Sequence, residues 1–306
     1  MNTGILRNLV ISISLLATTF QTFSQDIEPR RWNPLPLGTH VVGIGYGVSE
    51  SDVYIDPVLQ IEDVKQNMDV IAVSYVQPFK IGNKLARVDV TIPFVFGQWE
   101  GRISGEPQAI NREGFSDPRI RVSLNLIGPS AMGKLEMMEY MKANPVNTML
   151  GISLAVNFPL GQYAENRLIN LGNNRFVFRP QIGMVHNWGR WSYELTTSVF
   201  IITNNNQFFN NQQKKQNPLY AVQSHLIHRF KNRIWISGSL GLGTGAAATI
   251  DGVSQNDSRG DFLGALSFGA PITKTQAIKL SYLRSVTFKD IGSDSDTVGI
   301  SWSLAF

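Results

Sequence analysis

The chain's 306 residues are 43% hydrophobic, which is too polar for a bundle of membrane-spanning helices. With no cysteine it has neither disulfides nor thiolate metal sites. Its net charge of +4 is spread along the chain, so nucleic acid is a poor candidate for a partner.

Arg7 opens the chain with a short positive region, Leu9 to Ala17 follow as an apolar run, and Thr22-Phe23-Ser24 form a small-x-small site before Gln25. This pattern reads as a signal peptide over 1–24, too short to cross a bilayer as a helix. Residues 25–38 then read as a periplasmic N-terminal segment and 39–306 as an outer-membrane β-barrel.

Along the mature chain about twelve stretches have the ~9–11 residues of a tilted membrane strand. They are Thr39–Val48, Asp69–Phe79, Lys84–Phe96, Asp117–Ile127, Thr148–Phe158 and Arg175–Asn187. Trp191–Ile202, Leu219–Phe230, Arg233–Thr244, Asp261–Pro271, Ala277–Phe288 and Asp296–Phe306 continue the series. Side chains on a strand alternate between faces. Ile120, Val122, Leu124 and Leu126 therefore share one face, against Arg119, Arg121, Ser123 and Asn125 on the other. Leu150, Ile152, Leu154, Val156 and Phe158 repeat the pattern. Asp69–Phe79 is apolar on both faces, and Arg284 falls on the apolar face of its strand.

The connections alternate in length. Short turns occur at Ile81-Gly82-Asn83, Trp188-Gly189-Arg190, Lys231-Asn232 and Ile272-Thr273-Lys274. Long polar loops are predicted at Ser49–Met68, Gly97–Ser116, Leu160–Asn174, Thr203–Pro218 and Ile250–Gly260. Short periplasmic turns with longer external loops are the rule for transmembrane barrels. Phe79, Trp99, Trp188, Trp191, Phe230 and Trp235 near strand ends suggest interfacial girdles. The long link from Pro129 to Pro145 breaks the rule; Leu135, Met138 and Met141 within it predict a short amphipathic periplasmic helix.

The last ten residues alternate strictly, with Val298, Ile300, Trp302, Leu304 and Phe306 on one face. A terminal strand of this kind, ending on an aromatic, suits recognition of Phe306 by the barrel assembly machinery, with outer-membrane lipids as the surrounding partner.

No catalytic constellation emerges, so the chain reads as a non-enzyme with no cofactor and no metal. His225 and His228, three apart on a strand, point to opposite faces. The glycines at 238, 241, 243 and 245 lack the Lys-Ser/Thr of a phosphate loop and read as a strand that bends or makes room. The polar faces carry more information. Arg87, Arg119, Arg121, Arg179, Arg229 and Lys279 fall on lumen positions by parity, with Asp89 and Glu194. They form either an arginine–carboxylate network that stiffens the wall or a solute path with a weak anion preference, for which Arg119 and Arg121 are the best candidates.

Glu28-Pro29-Arg30-Arg31-Trp32 and Leu35-Pro36-Leu37-Gly38-Thr39 resemble the start of the family called MetA-pathway of phenol degradation. The resemblance runs on through Asp56-Pro57-Val58-Leu59, Gly97-Gln98-Trp99-Glu100-Gly101 and Gly114-Phe115-Ser116-Asp117-Pro118-Arg119. Gly161-Gln162-Tyr163, Leu168-Ile169-Asn170-Leu171-Gly172-Asn173-Asn174-Arg175 and Asp251-Gly252-Val253 extend it. What the resemblance implies is an outer-membrane transporter, with no binding residues to carry over. The sequence thus predicts an all-β chain, a transmembrane antiparallel barrel of about twelve strands with a short periplasmic helix. Its expected function is an outer-membrane channel for small solutes, aromatic or anionic compounds among them. The alternative is a structural or surface-interaction barrel with a plugged lumen.

Overall fold

The computed structural model describes residues 27–55 and 61–306. The expected signal peptide and the Asp56–Leu59 part of the resemblance lie outside them. Among the described residues no helix is long and apolar enough to cross a membrane.

The chain folds into β1 (Val41–Tyr54), β2 (Ile61–Ile81), β3 (Lys84–Ile103), β4 (Glu106–Phe115), β5 (Arg119–Ile127), helix α1 (Lys134–Ala143), β6 (Val146–Asn157), β7 (Val177–Trp188) and β8 (Trp191–Ile202). Then come β9 (Asn205–Phe208), β10 (Gln212–Gln216), β11 (Leu219–Arg229), β12 (Trp235–Gly245), β13 (Ala248–Ile250), β14 (Val253–Ser254), β15 (Arg259–Pro271), β16 (Gln276–Thr287) and β17 (Gly292–Ala305). Hydrogen-bonded neighbours run β2-β1-β17-β16-β15-β12-β11-β8-β7-β6-β5-β3, and the β2–β3 ladder closes the ring, giving a 12-stranded antiparallel barrel. Closure leaves no edge strand, so every wall backbone group has a partner where water is absent. β4 prolongs the wall beyond β5 by pairing with the outer half of β3.

Period-two alternation decides which face is lipid. On β12 the burial alternates residue by residue, with Ile236, Leu240 and Leu242 outward. Gly82 and Gly189 sit at positive φ in two-residue turns between paired strands, a conformation that costs glycine least. We call the end with these turns lower and the end with the long connections upper.

The strands match the predicted stretches closely at the lower end and run past them at the upper end. Most of Ser49–Met68 and Gly97–Ser116, expected as loops, is ladder: β1 pairs with β17 up to Tyr54↔Gly292, and β3 with β4 down to Ile103↔Glu106. Above the lipid the outward positions meet water and turn polar while the inward ones stay buried, so the apolar alternation fades although the backbone ladder persists. Thr203–Pro218 and Ile250–Gly260 contribute to a second, four-stranded sheet ordered β14-β13-β10-β9.

Two girdle candidates point the other way. Trp99 and Trp235 are 4% and 8% exposed and turn into the barrel, into space left by Gly97 and Gly269. Trp188, Trp191 and Phe230 face outward as expected. The helix forms, but its buried side chain is Met137, whereas Leu135 and Met138 of the anticipated stripe are exposed. Arg284 does lie on the outer face, where it pairs with Asp294 at 3.6 Å and with Asp296, which also accepts from Tyr282. Such polar contacts place this stretch above the apolar band.

Candidate functional site

Register assembles the lumen charges. Asp89, Arg121, Ala155 and Arg179 are direct neighbours across β3, β5, β6 and β7, all inward. The small Ala155 leaves room between the two guanidiniums. Arg87, Ser123, Ser153, Gln181 and Ser198 form the next row below. Arg119 lies one pleat above, beside Thr91 and Asn157.

The stretch before β1 fills this half of the lumen. Arg121 donates to Glu28 through both terminal nitrogens, at 2.6 and 3.0 Å, and Arg119 reaches the same carboxylate at 3.3 Å. Arg31 meets Asp89 at 3.2 Å and donates to Ser123 at 2.8 Å, while Arg87 holds Asp89 from the side at 3.0 Å. Trp32 is 4% exposed, and its indole N–H donates to the Thr196 hydroxyl at 2.8 Å. Its ring lies against Gly151 and Gly183, a directly paired couple on β6 and β7. A Cβ on Gly183 would come within 1.9 Å of the indole, so only glycine leaves the slot open. Arg30 stacks over the Trp235 ring at 5.2 Å. Below, Leu37 N–H donates to Met132 O and Ala131 N–H to Asn83 O, which ties this plug and the helix-bearing link to the lower rim.

The charges of the plug are set by their neighbours. Burial alone would raise the Glu28 carboxyl, but Arg121, with Arg31 and Arg179, holds it well below the usual carboxylate range. Burial lowers the Arg31 guanidinium to about 9, with Arg121 and Arg87 pushing the same way and Glu28 and Asp89 opposing. It therefore stays a cation at neutral pH.

Above the plug lies a cavity of about 430 Å³. Trp99, Val95, Val177, Phe200 and Leu263 give it apolar walls, and Arg119 and Arg179 line it as well. Arg179 stacks on Phe200 at 4.4 Å. A roof of connections covers the top. Asp117 accepts from Gly161 N–H at 3.0 Å and from the backbone and side-chain nitrogens of Asn173 at 2.9 and 2.8 Å. Tyr163 donates to Gln207 O, and Arg175 to Gln216. A larger hollow of about 860 Å³ is lined largely by outward residues such as Leu154, Ile182 and Tyr220, so it faces acyl chains and is not the solute cavity.

The structure thus brings Arg87, Asp89, Arg119, Arg121 and Arg179 together around the plug. Glu194, fully buried, faces the charges of Arg30 and Arg31 from below. The other two candidates stand apart. Arg229 donates to Gly189 O at 3.0 Å as a tie at the lower rim, and Lys279 is half-buried on the far wall. Sequence reasoning missed Glu28, Arg31, Trp32, Gly151 and Gly183 as a unit. The signals in the sequence were the Glu28–Trp32 stretch of the resemblance and a pair of glycines at inward positions of adjacent strands. The histidines form no site: His225 is buried against Ser239, and His228 packs outward on Trp191 and Phe230.

The architecture is similar to that of the COG4313 outer membrane channel of Pseudomonas putida F1, with a TM-score of 0.74 at 16% identity, covering 92% of this chain and 100% of that one. The transport unit of the autotransporter AIDA-I from Escherichia coli is a looser likeness, with a TM-score of 0.49 at 8% identity over 96% and 97% of the two chains. No curated protein matches. The model of the family described as "Putative MetA-pathway of phenol degradation" matches residues 56–290, a span that leaves out the Glu28–Thr39 part of the resemblance. The chain belongs to that family and is an outer-membrane β-barrel.

Proposed function

We propose that this barrel is a channel for small solutes, closed at rest by its own residues 28–33, with the lower end periplasmic. The observation that carries the reading is the pairing of a docked plug with a cavity directly above it. The cavity falls in the size range of small-molecule sites, and it mixes aromatic walls with a few charged groups. That lining suits small aromatic compounds, including those bearing an acidic group. A plug held by a few side-chain contacts, those of Glu28, Arg30, Arg31 and Trp32, is a separable part, unlike the hydrogen-bonded wall. The filled lower half, with its paired arginines, equally suits a structural barrel.

The two readings separate on removal of the plug. Deleting residues 28–33 from the refolded protein should raise single-channel conductance in planar bilayers and speed entry of small aromatic solutes into liposomes. A deletion barrel that folds, as shown by heat-modifiable migration, yet neither conducts nor speeds uptake makes the structural reading the better one.

A further inference from the structure

Among the described residues of the lower lumen, the guanidiniums of Arg31, Arg87, Arg119, Arg121 and Arg179 surround the carboxylates of Glu28 and Asp89, and Glu194 lies below with Arg30 and Arg31. Glu28 is not part of the wall. It belongs to the plug, and the contacts given above put it where an arriving anion would sit. Arg121 beneath it is 3% exposed and the Glu28 side chain 31%, and the link from this carboxylate to the cavity runs through Arg119. Arg119 holds Glu28 at the longer distance and also lines the cavity above. Arg179 lines the cavity too, next to the Phe200 ring. The other carboxylates on that cavity are engaged higher up: Asp117 by Gly161 and Asn173, and Asp261 with Arg259 at 3.8 Å. The arginines that hold Glu28 thus reach the floor of the cavity through Arg119 and Arg179.

We infer that Arg119, Arg121 and Arg179 form a carboxylate-binding site, filled at rest by Glu28 and taken over by the carboxylate of a small aromatic acid entering from the cavity. Guanidinium–carboxylate bonds are charge-assisted and directional, so the incoming group replaces the same bonds that Glu28 gives up. Arg119 makes the first contact, because it is shared between the cavity and the plug. The ring of the acid rests against Trp99 and Phe200. Loss of the Glu28 bonds leaves the plug held by Trp32, by Arg31 on Asp89 and Ser123, and by Arg30 and Arg31 against Trp235 and Glu194, and its exit becomes easier. The solute is thus also the signal that opens its path. This regulation rests on the channel reading; the binding site does not.

The test uses the full mature chain refolded in detergent, with benzoate as probe and benzyl alcohol as its neutral counterpart. Equilibrium dialysis should show benzoate binding about tenfold more tightly than the alcohol, the margin of one charge-assisted contact set over neutral ones. Glu28→Gln removes the internal competitor and should tighten benzoate about tenfold, leaving the alcohol unchanged. Arg119→Ser should abolish the preference. Plug release is read separately, by trypsin cleavage after Arg30 and Arg31. Benzoate should speed cleavage in the wild type and not in Arg119→Ser. Equal binding of acid and alcohol, or an unchanged benzoate affinity in Glu28→Gln, overturns the site. Binding as expected with no change in cleavage overturns the release step. If benzoate binds but the plug-deleted barrel passes nothing, the site stands and the channel reading falls. Should Arg119→Ser fail to fold, the Glu28→Gln comparison alone decides.

Discussion

In the lower lumen Glu28 and Asp89 meet a set of guanidiniums, and one indole fills a slot between two glycines. Under the roof, Asn205 exchanges neutral hydrogen bonds with Tyr163, Asn173 O and Gln207, while Asn173 and Gln213 each donate to a single carboxylate, those of Asp117 and Asp251. The contrast has an energetic meaning. Removing one partner of a buried charge pair leaves an uncompensated charge, which is costly. Removing one neutral bond among many costs little, since each is worth only about 1 kcal/mol net. A few strong, mutually dependent contacts give a plug that is either in or out. Many weak ones give a roof that loosens by degrees. On the proposed channel reading the lower closure therefore acts as a gate and the upper as a cover.

The strongest way to break this comparison is Gly183→Ala. Its backbone is ordinary for an alanine, but the new Cβ overlaps the Trp32 ring. The indole must leave its slot, and losing a buried Trp costs about 3–5 kcal/mol. That is enough to put the plug mostly out. Hydrogen exchange of residues 28–33 should rise sharply and conductance with it, while roof amides keep their protection. Equal protection of residues 28–33 in variant and wild type would mean that the slot does not hold the plug.

Asp89→Asn should weaken docking less, by about 2 kcal/mol, because the pair is partly open to water and Ser123 still holds Arg31. Release separates opposite charges, and salt screens the attraction that would draw them back. Conductance of the wild type should therefore rise with ionic strength more than ion supply explains, and Asp89→Asn should flatten that excess. A wild-type response that merely tracks salt concentration would argue that the ion pairs do not set the equilibrium.

The wall of the barrel was legible because lipid demands an outward apolar residue at every second position. β5, β6 and β17 show that demand plainly. The upper extensions of β1 and β3 were not legible, since their outward positions, Glu50, Asp52, Gln98, Glu100 and Arg102, meet water and are polar, while inward ones such as Ser51 and Trp99 are buried. Trp99 and Trp235 were misplaced because a tryptophan near a strand end suits either face; what decides is a glycine beside it, Gly97 two residues earlier on the same strand and Gly269 directly across. Parity put Arg121 and Arg179 inward, and register made them neighbours. The plug was hidden for a different reason. Glu28 to Trp32 has no period, and its partners lie 58 to 164 residues away. Only the folded ring of strands brings them together. The same holds for Met137, which is buried while the helix presents its expected stripe outward.

The roof can be probed through Lys214, on the short strand β10, 1% exposed with its ammonium 5.1 Å from the Phe208 ring. Burial lowers its pKa to about 7, with Arg175 pushing the same way and Asp257 opposing. In the opened roof the group returns to its ordinary value of 10.5. Between these values the open form binds more protons, so closure strengthens as pH rises from about 7 towards 10 and weakens on the way down. Below pH 7 both forms are protonated and the penalty is constant. Roof opening should fall by about 1 kcal/mol from pH 7 to pH 8, measured by hydrogen exchange after correction for intrinsic rates. Lys214→Met should abolish that slope and leave the plug as it was. A slope shared by residues 28–33 would tie the two closures together and end their separation.

The smallest expected effect tests the cover most directly. Asn205 is 3% exposed and stands at the centre of the neutral set. Its side-chain nitrogen donates to the Tyr163 hydroxyl at 2.9 Å and to Asn173 O at 3.3 Å, and its oxygen accepts from Gln207 N–H at 2.9 Å. Asn205→Ala removes these and the bond its oxygen accepts from the Asn174 side chain at 3.2 Å, yet each former partner lies close enough to the surface to find water. The expected cost is about 1 kcal/mol of local opening. Because no net charge separates, the change should be the same at low and high salt, unlike that of Asp89→Asn. The readout is exchange at Gln207 and Asn173, with residues 28–33 as the internal control. A loss large enough to open the whole roof at once, or one that grows with salt, would show that the upper closure is as cooperative as the plug.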